Sequence, residues 1–175
     1  QRSVVLVPVI VKEMNDHQLG DIVQYALKNI DVIRCVNFQP VSFAGRTEER
    51  EVKSGRITIP EALHKIEEQT QGLVKASDFY PIPCTYPISD FLNAYKSKAH
   101  VEFTCHPHCG AATYLYAHEG EVVPITKLCN VDRFFSDLNR AAEDLRKGRR
   151  LKARVRVGVS VLRNIKPKIL RQVAP

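Results

Sequence analysis

Val4-Val5-Leu6-Val7-Pro8-Val9-Ile10-Val11 contains no polar residue. Strict alternation would mark a strand with one wet face. An unbroken run of branched aliphatics instead marks a parallel strand covered on both faces. Asn15 and Asp16 follow as candidate N-caps, then Leu19, Ile22, Val23, Ala26 and Ile30 recur at helical spacing. Asp31 to Val36 reads as a second buried strand, ending at Asn37-Phe38-Gln39-Pro40. The spacing therefore predicts one βαβ unit. A parallel unit of this kind is right-handed and belongs to a larger sheet. The first 45 residues read as the last part of a barrel or open sheet whose earlier strands lie elsewhere.

Further along, Thr47 to Gly55 is polar and charged and reads as a linker or flexible loop. Pro60 opens a helix carrying Leu63 and Ile66, closed by Gly72. Asp78 to Pro87 holds three prolines among aromatics, which predicts an extended loop presenting Cys84, with Ser89 capping a short helix through Tyr95. His100 to Thr104 reads as a strand, and Ala112 to His118 with Glu121 to Ile125 as a hairpin about Glu119-Gly120. Asn130 caps an amphipathic helix that carries Phe134, Leu138, Ala141 and Leu145 and ends at Gly148. Beyond it, Arg154 to Val161 alternates like a strand. Leu151, Val155, Val159, Leu162 and Ile165 also fit a helix, which is the reading adopted.

The residues that carry chemistry cluster in Phe103-Thr104-Cys105-His106-Pro107-His108-Cys109-Gly110-Ala111-Ala112-Thr113, with Cys84 upstream and Cys129 downstream. Thiolates are soft donors, and four of them satisfy a tetrahedral metal or the irons of a cubane. Zinc is therefore as open a choice as an iron–sulfur cluster. Unbridged structural cysteines remain an alternative, since free Cys packs as a small hydrophobe. An odd count of five with no signal peptide argues against disulfides. His106 and His108 can serve as occasional ligands or as donors to cluster sulfur.

At 175 residues, 44% hydrophobic and 26% charged, the chain reads as globular, and as one domain or one domain plus an appendage. Its longest apolar run, Val4 to Val11, is far short of a membrane span. Charge is unevenly placed. From Arg140 onward twelve lysines and arginines face only Glu143 and Asp144, a local charge of +10 against −3 for residues 1–139. A basic end suits nucleic acid, anionic headgroups or an acidic partner, or is simply a solvated helix face.

These segments resemble a known family. Val7 to Lys12 with Asn15-Asp16-His17, then Arg34-x-Val36-Asn37-Phe38-Gln39-Pro40-Val41-Ser42-Phe43-x-Gly45-Arg46, resembles the late barrel strands of a radical SAM enzyme. Arg56 to Pro60, Asp78 to Cys84 and Cys105 to Tyr114 resemble the C-terminal portion of an archaeal-type branch. That branch holds tetraether lipid synthase and the pterin methyltransferases of methanopterin biosynthesis. The resemblance runs from about Val4 to Val131.

The resemblance implies an α/β fold in which the C-terminal βαβ part of a partial (β/α) barrel occupies residues 1–46. A small α+β cysteine-rich domain for an auxiliary cluster would span 47–148, and a basic helix or tail 149–175. It implies an enzyme acting on an unactivated C–H bond. The leading expectation is coupling of lipid hydrocarbon chains, with pterin methylation as the alternative. A zinc-stabilised nucleic-acid module stands as a reading of another class, disfavoured by the βαβ fragment. Cys84, Cys105, Cys109 and Cys129 become the candidate ligands of an auxiliary [4Fe-4S] cluster. Asn37, Gln39 and Arg46 become candidates for binding S-adenosylmethionine or substrate at the barrel mouth.

Two departures matter. The chain has no Cys-x3-Cys-x2-Cys: Ala112 stands where a third thiol would follow Cys105 and Cys109. The expected partner is thus a radical SAM half, in the same polypeptide or in a separate chain. The family pattern also favours glycine where Glu13 and Cys35 stand, and Cys35 is expected to be a packed thiol. The expected location is cytoplasmic, with membrane contact through the basic tail.

Overall fold

The computed structural model describes residues 3–96, 102, 105–118 and 120–166. The chain divides into two compact units, Gln1–Ser77 and Asp78–Pro175.

In the first unit, β1 (Val4–Leu6) and β2 (Val9–Ile10) are one strand interrupted at Pro8. After α1 (Leu19–Lys28) the chain returns as β3 (Ile33–Val36) and β4 (Gln39–Pro40). β1 pairs parallel with β3 and β2 with β4. The ladder continues through the break: Asn37 N donates to Leu6 O at 2.8 Å and Gln39 N to Pro8 O at 2.9 Å. The βαβ unit is therefore present. Only Ile10 and Ile33 of its strands are buried, however, while Val4, Val5, Val7 and Val9 are exposed. The sheet has two strands here, so the apolar run that predicts burial on both faces finds cover on one.

Asn15 and Asp16 do not cap α1, whose N-cap is Gln18 with no side-chain bond. They close the turn before it. Val11 N donates to Asn15 Oδ1, Asn15 Nδ2 to Val9 O, and Glu13 N to Asp16 Oδ1. The polar stretch expected to be a linker contains a helix, α2 (Glu49–Gly55). Tertiary contact holds it: Gly55 O accepts from Lys12 N at 3.0 Å, and Gly55 is buried against Phe43 and Val11. α3 (Ile59–Gln69) begins with a capping box, in which the Thr58 hydroxyl and the Glu61 carboxylate satisfy each other's amides. That box was legible as Thr58-Ile59-Pro60-Glu61 and was missed. Thr58 holds Glu61 down to about 2. α1 and α3 lie in close contact, with Gly20 N donating to Gln69 Oε1. α2 and α3 lie with the βαβ unit in the first compact unit, which runs to Ser77.

The second unit opens with β5 (Tyr80–Pro81) and a 3-10 turn, Ile82–Thr85. α4 (Tyr86–Lys96) starts at Tyr86, so Ser89 is a buried residue inside the helix and not its cap. The strand expected over His100 to Thr104 lies largely outside the described residues. β6 (Ala111–Ala112) pairs antiparallel with β5. β7 (Leu115–His118) and β8 (Glu121–Pro124) form the expected hairpin. After the short α5 (Ile125–Leu128) come α6 (Val131–Arg146) and α7 (Arg150–Asn164). Asn130 caps α6 by accepting from Arg133 N, and Gly148 turns the chain at φ 74°.

Ala141, Leu145 and Ala153 form the core between α6 and α7, with Phe91 and Ala94 of α4 packed on it. Two buried aspartates of α6 fasten α7. Asp137 accepts from Ser160 Oγ at 2.7 Å, Arg163 Nη2 at 2.8 Å and Asn164 Nδ2 at 3.3 Å. Asp144 pairs with Arg149, Lys152 and Arg156. Part of the basic end is thus internally neutralised. No helix among the described residues is long and apolar enough to cross a membrane.

Candidate metal centre

Cys84, Cys105, Cys109 and Cys129 all lie in the second unit, and the local fold explains how their loops adjoin. Tyr80 faces Ala112 and Pro81 faces Ala111. The next step of this ladder sets Ile82 opposite Gly110, and Ile82 N donates to Gly110 O at 3.2 Å. Directly beyond lie the two 3-10 turns, Ile82–Thr85 bearing Cys84 and Pro107–Cys109 bearing Cys109. A β-carbon at Gly110 would stand 2.8 Å from Ile82 Cδ1, the end of a flexible side chain that can turn aside. Ala112, at the position where the family pattern would allow a third thiol, is instead a strand residue opposite Tyr80.

The thiols fall into two pairs. Cys105 and Cys109 hydrogen-bond to each other; burial pushes the Cys105 thiol up, and the Cys109 charge adds to this. Cys84 and Cys129 both neighbour Tyr80. Burial raises the Cys84 and Cys129 thiols, and the Asp132 carboxylate raises Cys84 further. Tyr80 itself is raised by burial and then by Asp132, to which its hydroxyl is hydrogen-bonded. Cys129 sits at the C-cap of α5, paired with Ile165 in an antiparallel bridge, and Asp132 occupies the first turn of α6. Sequence reasoning missed both Tyr80 as a neighbour of the two cysteines and Asp132 as its partner. A tyrosine in a Pro-rich loop and an acid in a helix's first turn are ordinary residues in sequence.

His106 Nδ1 accepts from His108 N at 3.3 Å, and the two rings stand edge to face. Both histidines are exposed. Among the described residues no three His, Cys, Asp or Glu side chains converge on one point. In kind and number the donors fit a four-thiolate site. The Thr113 hydroxyl, four residues past Cys109, is buried and has no hydrogen-bond partner among the described residues, as a group beside an absent acceptor would be.

The other candidates belong to the first unit. Asn37, Gln39 and Arg46 are all exposed, where burial at a strand end was expected of Asn37 and Gln39. With two strands in the sheet, no barrel wall closes over them. Cys35, expected to be packed, is exposed on β3 opposite Val5; it belongs to the first unit and the other four thiols to the second. Glu13 has φ 62°, in the left-handed region that favours glycine.

No protein-family model matches the chain. Over 148 residues it is 41% identical to 7,8-dihydro-6-hydroxymethylpterin dimethyltransferase of Methanocaldococcus jannaschii, a match covering 84% of this chain. The chain spans 29% of that protein's length. Of the two branches the sequence resembles, this relative belongs by name to the pterin methyltransferases, and nothing supports the coupling of lipid chains.

Proposed function

We propose that this chain is part of a radical SAM methyltransferase acting on a reduced hydroxymethylpterin, and that it contributes an auxiliary iron–sulfur site. The observation that carries the reading is the similarity to the named pterin dimethyltransferase, which extends over 84% of the chain. The placement of four thiols on adjoining loops of one unit supports it. The chemistry of S-adenosylmethionine cleavage would come from a half bearing Cys-x3-Cys-x2-Cys. A bound [4Fe-4S] cluster would supply electron transfer at the C-terminal site.

The chain's own residues set the conditions for loading. Cys84, Cys105 and Cys129 are held as neutral thiols by burial, so ligation must release their protons and is favoured by rising pH. The hydrogen bond from Ile82 N to Gly110 O joins the segments that present Cys84 and Cys109. Tyr80, hydrogen-bonded to Asp132, neighbours both Cys84 and Cys129. Asn37, Gln39 and Arg46 are proposed to meet cofactor or substrate once the other barrel strands cover the first unit.

The test is iron and acid-labile sulfide per chain after purification without oxygen, beside Cys105→Ala and Cys35→Ala. About four irons with four sulfides are expected, lost in Cys105→Ala and kept in Cys35→Ala. Supplied with the Cys-x3-Cys-x2-Cys half, the protein should add methyl groups to 7,8-dihydro-6-hydroxymethylpterin, read by mass spectrometry. Zinc in place of iron, with nucleic acid retained, would overturn the reading in favour of a zinc-stabilised binding module.

A further inference from the structure

Helix α7 buries one face against α6 and leaves the other exposed, with no partner among the described residues. Leu151, Val155, Val159 and Leu162 are 77%, 58%, 51% and 72% exposed. Their spacing of four, four and three residues makes them a single stripe along the helix. Cations border it on both sides. Arg150 and Arg154 lie along one edge, and Lys152, Arg156 and Arg163 along the other. Residues 150–164 include no Asp or Glu. The second edge opens into a groove of about 300 Å³ that Val155 and Val159 help line. Arg140, Lys152, Arg156 and Arg163 supply the groove's cations. Asp137 and Asp144 neutralise part of this charge; Arg140 has no ion pair among the described residues.

We propose that this face of α7 is a docking surface for an anionic lipid interface, with aliphatic side chains entering the acyl boundary and headgroup phosphates held by the flanking cations. Charge complementarity selects this occupant. A second copy of the chain would set cation against cation, because helix α7 carries no carboxylate and Asp137, which lines the groove, is already bonded to Ser160 and Arg163. A nucleic acid would match the cations but would meet an aliphatic stripe where it offers phosphate and polar groove edges. A bilayer boundary is apolar at its centre and anionic at its borders, and it accommodates a convex single helix without a preformed groove. The proposal concerns where the protein sits and is independent of the substrate reading above.

The test is co-sedimentation of the 175-residue chain with vesicles of phosphatidylcholine mixed with phosphatidylglycerol, against phosphatidylcholine alone. Binding to the anionic vesicles should be at least about tenfold tighter and should weaken as salt rises. The double variant Leu151→Ser/Leu162→Ser changes two exposed side chains, so its thermal melt should match the parent's. It should lose about tenfold of the binding, because burial of aliphatic side chains in the interface is removed. Arg140→Gln should weaken the anionic preference while leaving the weak binding to phosphatidylcholine in place. Equal binding to both vesicles, or anionic binding unchanged in the serine variant, would overturn the proposal. So would dimers by light scattering that the serine variant abolishes, or RNA binding as tight as vesicle binding.

Discussion

The Glu13 amide donates to Asp16 Oδ1 at 3.0 Å, and Glu13 thereby sits at φ 62°. The other oxygen of Asp16 pairs with Lys65 of α3 at 3.0 Å, so one buried carboxylate ties the strand-to-helix turn to the neighbouring helix. This explains why the family pattern favours glycine at position 13: the turn requires a left-handed residue whatever its side chain. Left-handed backbone costs an ordinary residue roughly 1–2 kcal/mol, and glycine's extra freedom in the unfolded chain returns about half of that. Glu13→Gly should therefore stabilise the protein by about 0.5–1 kcal/mol in urea titration. Asp16→Ala should destabilise it by about 1–3 kcal/mol, since a buried acceptor of two partners is lost.

Close approach of α1 and α3 depends on Gly20. A β-carbon there would lie 2.6 Å from Gln69 Cβ and 2.8 Å from the Gln69 carbonyl oxygen. A backbone atom cannot swing aside, so Gly20→Ala should cost about 1–3 kcal/mol, although alanine is the better helix former. Gly158→Ala, on α7 with nothing within 4 Å, should instead stabilise by about 0.5–1 kcal/mol. Thermal melts of the two variants should move in opposite directions.

Asp137 fixes α7 through three donors. Asp137→Ala would strand Ser160 and Asn164 in a buried site, at a cost of about 2–4 kcal/mol. The Ser160 hydrogen bond, followed by Arg163, outweighs burial and holds the Asp137 carboxyl below the usual range. A lowered folded-state value makes the contribution fully present above about pH 4, the unfolded carboxylate range, and lost as pH falls through the folded value. Parent stability should therefore drop below about pH 4 more steeply than that of Asp137→Asn.

Thiol accessibility separates the cysteines. Metal-free protein treated with iodoacetamide near neutral pH should be alkylated first at Cys35 and Cys109, the two exposed thiols. Cys84 and Cys129, half-buried and with raised thiols, should follow about tenfold more slowly. Loading the metal should protect Cys109 and leave Cys35 reactive. Peptide mass spectrometry reads both. Protection of Cys35 on loading would place it in the site and undo the assignment of four ligands.

Much of the architecture was legible in the chain. The βαβ unit, the helix opened by Pro60, the hairpin about Gly120, the Asn130 cap and the helical reading of α7 each rest on signals contained within one or two turns or one strand pair. Such signals are local, because periodicity and capping are set by neighbours along the chain. The candidate ligands were also legible as residue types. Their arrangement was not. The β5–β6 ladder that sets the Cys84 and Cys109 turns side by side is two residues long, too short for any periodic signature, and Tyr80 of β5 meets Asp132 of α6 only through tertiary packing.

Tertiary structure alone decided the rest. Glu49–Gly55 is a helix because Gly55 fits beneath Phe43, a contact no polar pattern announces. Asn15 and Asp16 carry the signature of caps, yet their oxygens face backward onto the turn because its amides are nearer than those of α1. Sequence counted the cations of the basic end but could not say which are used. Asp137 and Asp144 take those along one edge of α7, and the stripe from Leu151 to Leu162 remains outward. Composition and local pattern thus determined which residues form helices and strands and which could ligate or carry charge. Pairing between distant segments determined which of them meet, because that depends on how nonlocal surfaces pack and on which polar groups packing leaves unsatisfied.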